Sequence, residues 1–199
     1  PPPPPPILMI RRPPRSTQVA GRRQRQMCIR DSHQVLERFP EALLILVPRH
    51  PERFERVGGL CKRERLRMAR RSRSSEYDGT TQVYLGDTMG ELPVMLGSAD
   101  VAFIGGSLVP TGGHNMLEAA AQGVAVCFGP HVFNFATISR MLIEEGAAVQ
   151  VESESALAGQ VVAWFENASA RAEMGENGRR VVAQNRGALQ RLIDLMPLR

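Results

Sequence analysis

The chain has 199 residues, 43% hydrophobic and 23% charged, with 25 basic against 20 acidic side chains and a formal net charge of +5. That composition belongs to a folded chain with one good-sized core and sets aside a low-complexity or disordered polymer. The excess charge is local: residues 1–32 hold seven arginines against Asp31, and the remainder is nearly neutral at −1, which argues against a basic surface spread over the whole fold.

Residues 1–32 also contain eight of the 15 prolines and one short apolar run, Ile7-Leu8-Met9-Ile10, so the segment is expected to add nothing to a core. Six prolines stand where an export signal would need its basic start, and the longest apolar run, Ala42 to Val47, is far shorter than the ~20 residues that cross a bilayer. The stretches 8–17 and 24–32 resemble translated sequencing-adaptor read-through. The expected division is therefore an adaptor-like or disordered segment over 1–32, outside the native protein, and a domain over 33–199. A proline- and arginine-rich tail that binds nucleic acid or anionic lipid is the competing reading. Cys28, Cys61 and Cys127 show no paired spacing, which supports neither a disulfide framework nor a cysteine-based zinc site and fits a reducing environment.

From His33 onward, short apolar runs at 43–47, 82–85, 101–104, 124–128 and 148–151 alternate with helical patterns. The helices are expected near 52–70, 91–98, 115–122, 135–145, 154–167, 170–184 and 187–195. Runs this short and this apolar suit strands buried on both faces, and the alternation predicts an α/β fold: a Rossmann-like parallel sheet with helices on both faces. Residues 62–73 hold seven basic side chains and one acid, Glu64. They read as a cationic surface helix and loop, or as a contact for anionic lipid headgroups.

In such sheets a ligand lies beyond the carboxyl ends of the strands. Pro48-Arg49-His50 follows the first predicted strand, Gly86-Asp87-Thr88-Met89-Gly90-Glu91 the second, Gly105-Gly106-Ser107 the third and Gly129-Pro130-His131 the fourth. Gly112 and Gly113 permit close approach of the main chain, and the helix they lead into offers free N–H groups to a phosphate. Asn115 is expected at or near its N-cap, with its side chain on a main-chain donor. Glu118, three residues on, either completes a capping box or accepts from a ribose diol. Arg49 can grip a phosphate with paired donors, or pair with Glu52 on the surface. Thr88 or Asp87 is expected to cap the helix that Met89-Gly90-Glu91 begins.

His50, His114 and His131 match no metal-ligand spacing. A Gly-x-Ser-x-Gly elbow, a Walker lysine loop and a Gly-x-Gly-x-x-Gly fingerprint are all missing from the sequence, which counts against hydrolase, P-loop and dinucleotide readings.

Residues 48–54 and 86–92, Gly105-Gly106-Ser107, Gly112-Gly113-His114-Asn115, Leu117-Glu118-Ala119-Ala120, the run from Gly129 to Phe135 and the closing Gln184-Asn185-x-Gly187-Ala188-Leu189 together resemble the C-terminal half of 3-deoxy-D-manno-octulosonic acid (Kdo) transferases. The resemblance implies a two-domain GT-B glycosyltransferase of lipopolysaccharide biosynthesis. It would pass Kdo from CMP-Kdo to a lipid A precursor with inversion, without metal or other cofactor and without a nucleic-acid partner. It further implies that this half holds CMP through Pro48 and Arg49, through Met89, Gly90 and Glu91, and through Asn115, Met116, Leu117 and Glu118. Gly86, Gly112, Gly113 and His114 would support those loops. Membrane association, the acceptor site and the catalytic glutamate are expected in an N-terminal domain outside this chain. No catalytic residue is then expected here, and the parent enzyme is placed at the cytoplasmic face of the bacterial inner membrane. Met116 departs from the proline usual after that asparagine, a mild loss of preorganisation. The alternatives are a UDP-sugar transferase or epimerase half, and a noncatalytic nucleic-acid or membrane-binding module.

Overall fold

The computed structural model describes the main chain of residues 7–11 and the whole of residues 33–73 and 79–185. Seven strands form one sheet: β1 (Ile7–Arg11), β2 (Leu43–Val47), β3 (Met68–Arg70), β4 (Val83–Leu85), β5 (Val101–Ile104), β6 (Ala125–Phe128) and β7 (Ala148–Gln150). Their order is β3-β4-β2-β1-β5-β6-β7, and every neighbouring pair is parallel.

Helices cover both faces, as an all-parallel sheet requires. They are α1 (33–38), α2 (Phe54–Arg63), α3 (Leu92–Gly97), α4 (Leu117–Ala121), α5 (Ala136–Glu144), α6 (Glu154–Glu166) and α7 (Ala168–Asn185). The period of two along β2 divides its residues between two cores. Leu44 and Leu46 pack with Val35, Val57, Leu60, Val161 and Trp164 of α1, α2 and α6. Leu43, Ile45 and Val47 pack with Leu96, Ala119, Leu142 and Val181 of α3, α4, α5 and α7. Each fully buried Val or Leu contributes about 1.5–3 kcal/mol relative to exposure. An unbroken apolar run therefore suits a strand covered on both sides.

Two elements differ from the sequence reading. Residues 1–32 were expected to add nothing to the fold, yet Ile7–Arg11 is the central strand, pairing with β2 on one side and β5 on the other. Without it β2 and β5 would each present an unpaired row of N–H and C=O groups inside the sheet, and Ile7 to Ile10 has the apolar, extended character that fills such a place. The boundary at residue 33 is corrected to that extent; 12–32 and the expected helix at 187–195 fall outside the described residues.

The helix expected over 52–70 is instead a 3₁₀ turn at Pro51–Arg53, α2, and then β3. Arg65 takes the left-handed conformation (φ 56°) just past the helix end. The Leu66 amide returns to the Cys61 carbonyl at 3.0 Å and the Arg65 amide to Lys62 at 3.1 Å, the paired bonds that close a helix C-terminus. An arginine holds the position that glycine usually fills, so the stop carries no sequence signal. The basic stretch is accordingly divided: Lys62 and Arg63 end α2, where cations complement the helix dipole, while Arg70 and Arg71 belong to the far end of β3 and its following turn.

The chain leaves β1 toward β2 and the β3–β4 edge, then returns through β5 to the other side of β1. Connections diverge at this point of the sheet, and a crevice opens beyond the strand ends.

Candidate functional site

Three of the predicted strand-end segments line that rim. Pro48 is buried directly after β2 and places Arg49 outward. The Arg49 guanidinium donates from Nη1 to Nδ1 of His114 at 3.2 Å, joining the loop after β2 to the loop after β5. A guanidinium has no acceptor, so Nδ1 of His114 carries no proton here. His114 is buried, and the bond holds Arg49 over the crevice rather than against Glu52. Beside it, Nε2 of His50 is buried with no hydrogen-bond partner.

Gly112 and Gly113 both have positive φ, 88° and 71°, but the close approach they permit is to protein. A Cβ on Gly112 would stand 2.1 Å from Nδ2 of Asn134, and one on Gly113 would stand 3.1 Å from the Val132 side chain. The pair therefore seats the His114 loop on residues 132–134. Ser107, wholly buried, ties the same loops together: its hydroxyl accepts from the Gly129 amide at 2.7 Å, and its carbonyl accepts from the His131 amide at 2.8 Å.

Asn115 accepts the Leu117 amide on Oδ1 at 3.1 Å from one residue before the N-cap, which is Met116 and has no side-chain cap, and its Nδ2 donates to Glu118 Oε1 at 3.4 Å. Glu118 and Leu117 are half-buried. Met116 corrects the sequence reading, because its side chain is fully buried in the core under α4 and leaves only main-chain groups for a ligand. The helix itself is five residues long, too short for much macrodipole to favour an anion.

The third segment is built differently from expectation. The residue preceding α3 is Glu91, and no side chain caps the helix. Asp87 instead turns inward, accepting from Arg70 Nε at 2.8 Å, the Ser72 amide at 2.7 Å and the Ser72 hydroxyl at 2.5 Å. Burial alone would raise the Asp87 carboxyl; the Ser72 donors and the Arg70 guanidinium outweigh it and hold the group below its ordinary value. Glu91 receives the Arg71 guanidinium and the Thr88 hydroxyl. Met89 is left 62% exposed between them. A crevice of about 10 Å³ lined by Leu92, Leu96, Asn115 and Ala119 brings the start of α3 against the start of α4. Gly86 is buried, its amide bonded to the Leu46 carbonyl at 2.8 Å.

The residues that sequence reasoning missed are Arg70, Arg71 and Ser72, hidden in a stretch read as a cationic surface. Fifteen to twenty positions separate them from Asp87 and Glu91, and no local pattern reports such a pairing. A groove of about 500 Å³ runs along α5, lined by His131, Phe133, Arg140, Ile143 and Gln150; it lies beside the three strand-end segments and shares none of their residues. Among the described residues no three His, Cys, Asp or Glu side chains are grouped to share a metal ion, and no helix is long and apolar enough to cross a membrane.

No family model matches the chain. A 3-deoxy-D-manno-octulosonic acid transferase of Haemophilus influenzae is 45% identical over 172 residues, covering 86% of this chain and 40% of the relative. The enzyme of the same name from Bordetella pertussis is 37% identical, covering 79% of this chain and 37% of the relative. The chain thus spans about two fifths of the length of these curated relatives. Among solved structures, the C-terminal CMP-Kdo binding domain of WaaA from Acinetobacter baumannii superimposes with a TM-score of 0.81 at 30% identity over 90% of each chain. WaaG, a glycosyltransferase involved in lipopolysaccharide biosynthesis, matches with a TM-score of 0.58 at 13% identity, a likeness of fold alone.

Proposed function

This chain belongs to the 3-deoxy-D-manno-octulosonic acid transferase family and has the fold of a GT-B C-terminal domain, and from that premise we propose that it is the half that binds the CMP part of CMP-Kdo. The observation that carries the reading is the Arg49–His114 pair at 3.2 Å, set across the sheet's point of divergence in a chain that superimposes on a CMP-Kdo binding domain. Arg49 supplies a guanidinium whose fork grips a phosphate with more than one donor. His114 fixes its direction. Glu118, steered by the Asn115 amide at 3.4 Å, accepts from ribose hydroxyls. The main chain at Met89 and Gly90 edges the base, and the unpartnered Nε2 of His50 beside Arg49 adds a polar atom that a ligand can satisfy.

The parent enzyme, on this reading, transfers Kdo to a lipid A precursor with inversion, without a metal, at the cytoplasmic face of the inner membrane. Inverting transfer needs a base at the acceptor hydroxyl and a group that stabilises the departing CMP. The residues named here supply the second. The base is assigned to the part of the relatives that this chain does not cover, so the chain binds donor without turnover. Calorimetric titration with CMP and with UDP tests the assignment. CMP is expected to bind at least tenfold more tightly, and Glu118→Ala is expected to weaken it by roughly tenfold, the cost of about 1.4 kcal/mol of lost hydrogen bonding. Equal affinity for both nucleotides, or none for either, overturns it.

A further inference from the structure

Arg70, the last residue of β3, and Arg71, the first of the 3₁₀ turn that follows it, go to different sides: the first is buried and the second exposed. Arg70 goes inward to Asp87 and also meets Glu55 at 2.7 Å. Arg71 goes outward and presents its fork to Glu91, Nη2 to Oε1 at 2.8 Å and Nε to Oε2 at 3.1 Å. The end of edge strand β3 and the turn after it therefore hold the loop after β4 at both ends: Asp87 at its start through Arg70 and Ser72, and Glu91 at its finish through Arg71. Met89 and Gly90 lie between those two anchors.

The Glu91 carboxylate is fully engaged in this arrangement. Arg71 occupies both of its oxygens, and the Thr88 hydroxyl adds a third donor to Oε2. Arg71 first, and then Thr88, hold this carboxyl below its ordinary range. A group so committed has about one lone-pair site left and cannot turn toward a nucleotide without giving up its charge-assisted fork.

We infer that Arg71 is a positioning residue of the nucleotide site: it locks Glu91, and Glu91 acts by fixing the Thr88–Gly90 loop against the ligand rather than by touching it. The inference rests on the CMP reading above and adds to it a residue in the turn after the edge strand. Exposed ion pairs contribute little to stability, and Arg71 and Glu91 are 46% and 33% exposed at the side chain. A purely structural pair would therefore change almost nothing when cut, whereas a positioning pair changes affinity, because a loop that is no longer preorganised must be ordered by the ligand.

The test is calorimetric titration of the full chain with CMP, alongside thermal melting, for the parent, Arg71→Ala, Glu91→Gln and the charge exchange Arg71→Glu with Glu91→Arg. Each single substitution is expected to weaken CMP by roughly tenfold while moving the melting temperature by only about a degree or two. The exchange restores the ion pair with its partners swapped and is expected to recover affinity to within about threefold of the parent. A parent that binds CMP and an Arg71→Ala variant that binds it equally well overturn the inference and leave the CMP reading standing. Singles that weaken binding, with an exchange that fails to recover it, show that the Glu91 carboxylate contacts the ligand itself and overturn the positioning role. A parent that binds no CMP overturns both.

Discussion

Asp87→Asn is the substitution whose consequence follows most directly from the geometry. Asparagine keeps the shape and can still accept the Ser72 amide through its oxygen. Its amide group, however, replaces the oxygen that now receives Arg70 Nε at 2.8 Å and the Ser72 hydroxyl at 2.5 Å. The hydroxyl can turn and accept, but the guanidinium cannot. One charge-assisted bond is lost, about 1.5–3 kcal/mol, and two donors oppose each other where the Asp87 and Arg70 side chains are only 1% and 10% exposed. Glu55 still neutralises Arg70, so the total falls at the low end of the range for a broken buried pair, about 3 kcal/mol.

For a domain of this size that lowers the melting temperature by about 6–12 °C, read by circular dichroism at pH 7. The sign with pH is fixed by the lowered Asp87 carboxyl. Its stabilisation is present at neutral pH and is lost as pH falls through the folded-state value, which lies below the ordinary 3.8. Parent and variant should therefore converge in acid. A variant melting within about 2 °C of the parent at pH 7 would refute the account of the β3–β4 edge.

Gly129→Ala places a Cβ 2.4 Å from the Ser107 carbonyl oxygen and 2.6 Å from the Leu108 nitrogen, main-chain atoms that cannot swing aside. The urea midpoint should fall by the equivalent of about 1–3 kcal/mol, and an unchanged midpoint would mean that the loops after β5 and β6 are not packed together. Gly59→Ala, where a Cβ meets nothing within 4 Å on α2, should move the midpoint the other way by up to about 1 kcal/mol. Burial, only partly opposed by a main-chain hydrogen bond, pushes the Cys61 thiol up to about 11. Iodoacetamide at pH 8 should therefore leave the Cys61 peptide unmodified until the chain is unfolded, and prompt labelling of the native protein would contradict its placement under α2.

The parts of this fold that could be read from sequence are those in which local pattern and global packing agree. Leu43 to Val47 and Val101 to Ile104 are apolar throughout because both faces are covered, and the segments holding Arg49, Met89 and Asn115 follow strands, as the alternation of runs and helices predicts. Other features had no such signal. Ile7 to Ile10 is an ordinary apolar run embedded in proline and arginine, and only the vacant place between β2 and β5 reveals it as a strand. Arg65 ends a helix in a conformation usually marked by glycine. Asp87 has the spacing of a helix cap, but Arg70 at the end of β3 and two donors on Ser72 in the turn after it take the carboxylate instead, the guanidinium buried with it. Met116 looked like a rim residue, while helical periodicity turned its side chain into the core.

Amide hydrogen exchange of the chain with and without CMP tests the central claim most directly. The account predicts slowed exchange in three separate segments, at Arg49, across 89–91 and across 113–118, with no change along α5 or at 62–67. Protection confined to the groove beside α5 or to the basic turn at 62–67, or no protection at saturating CMP, would contradict it.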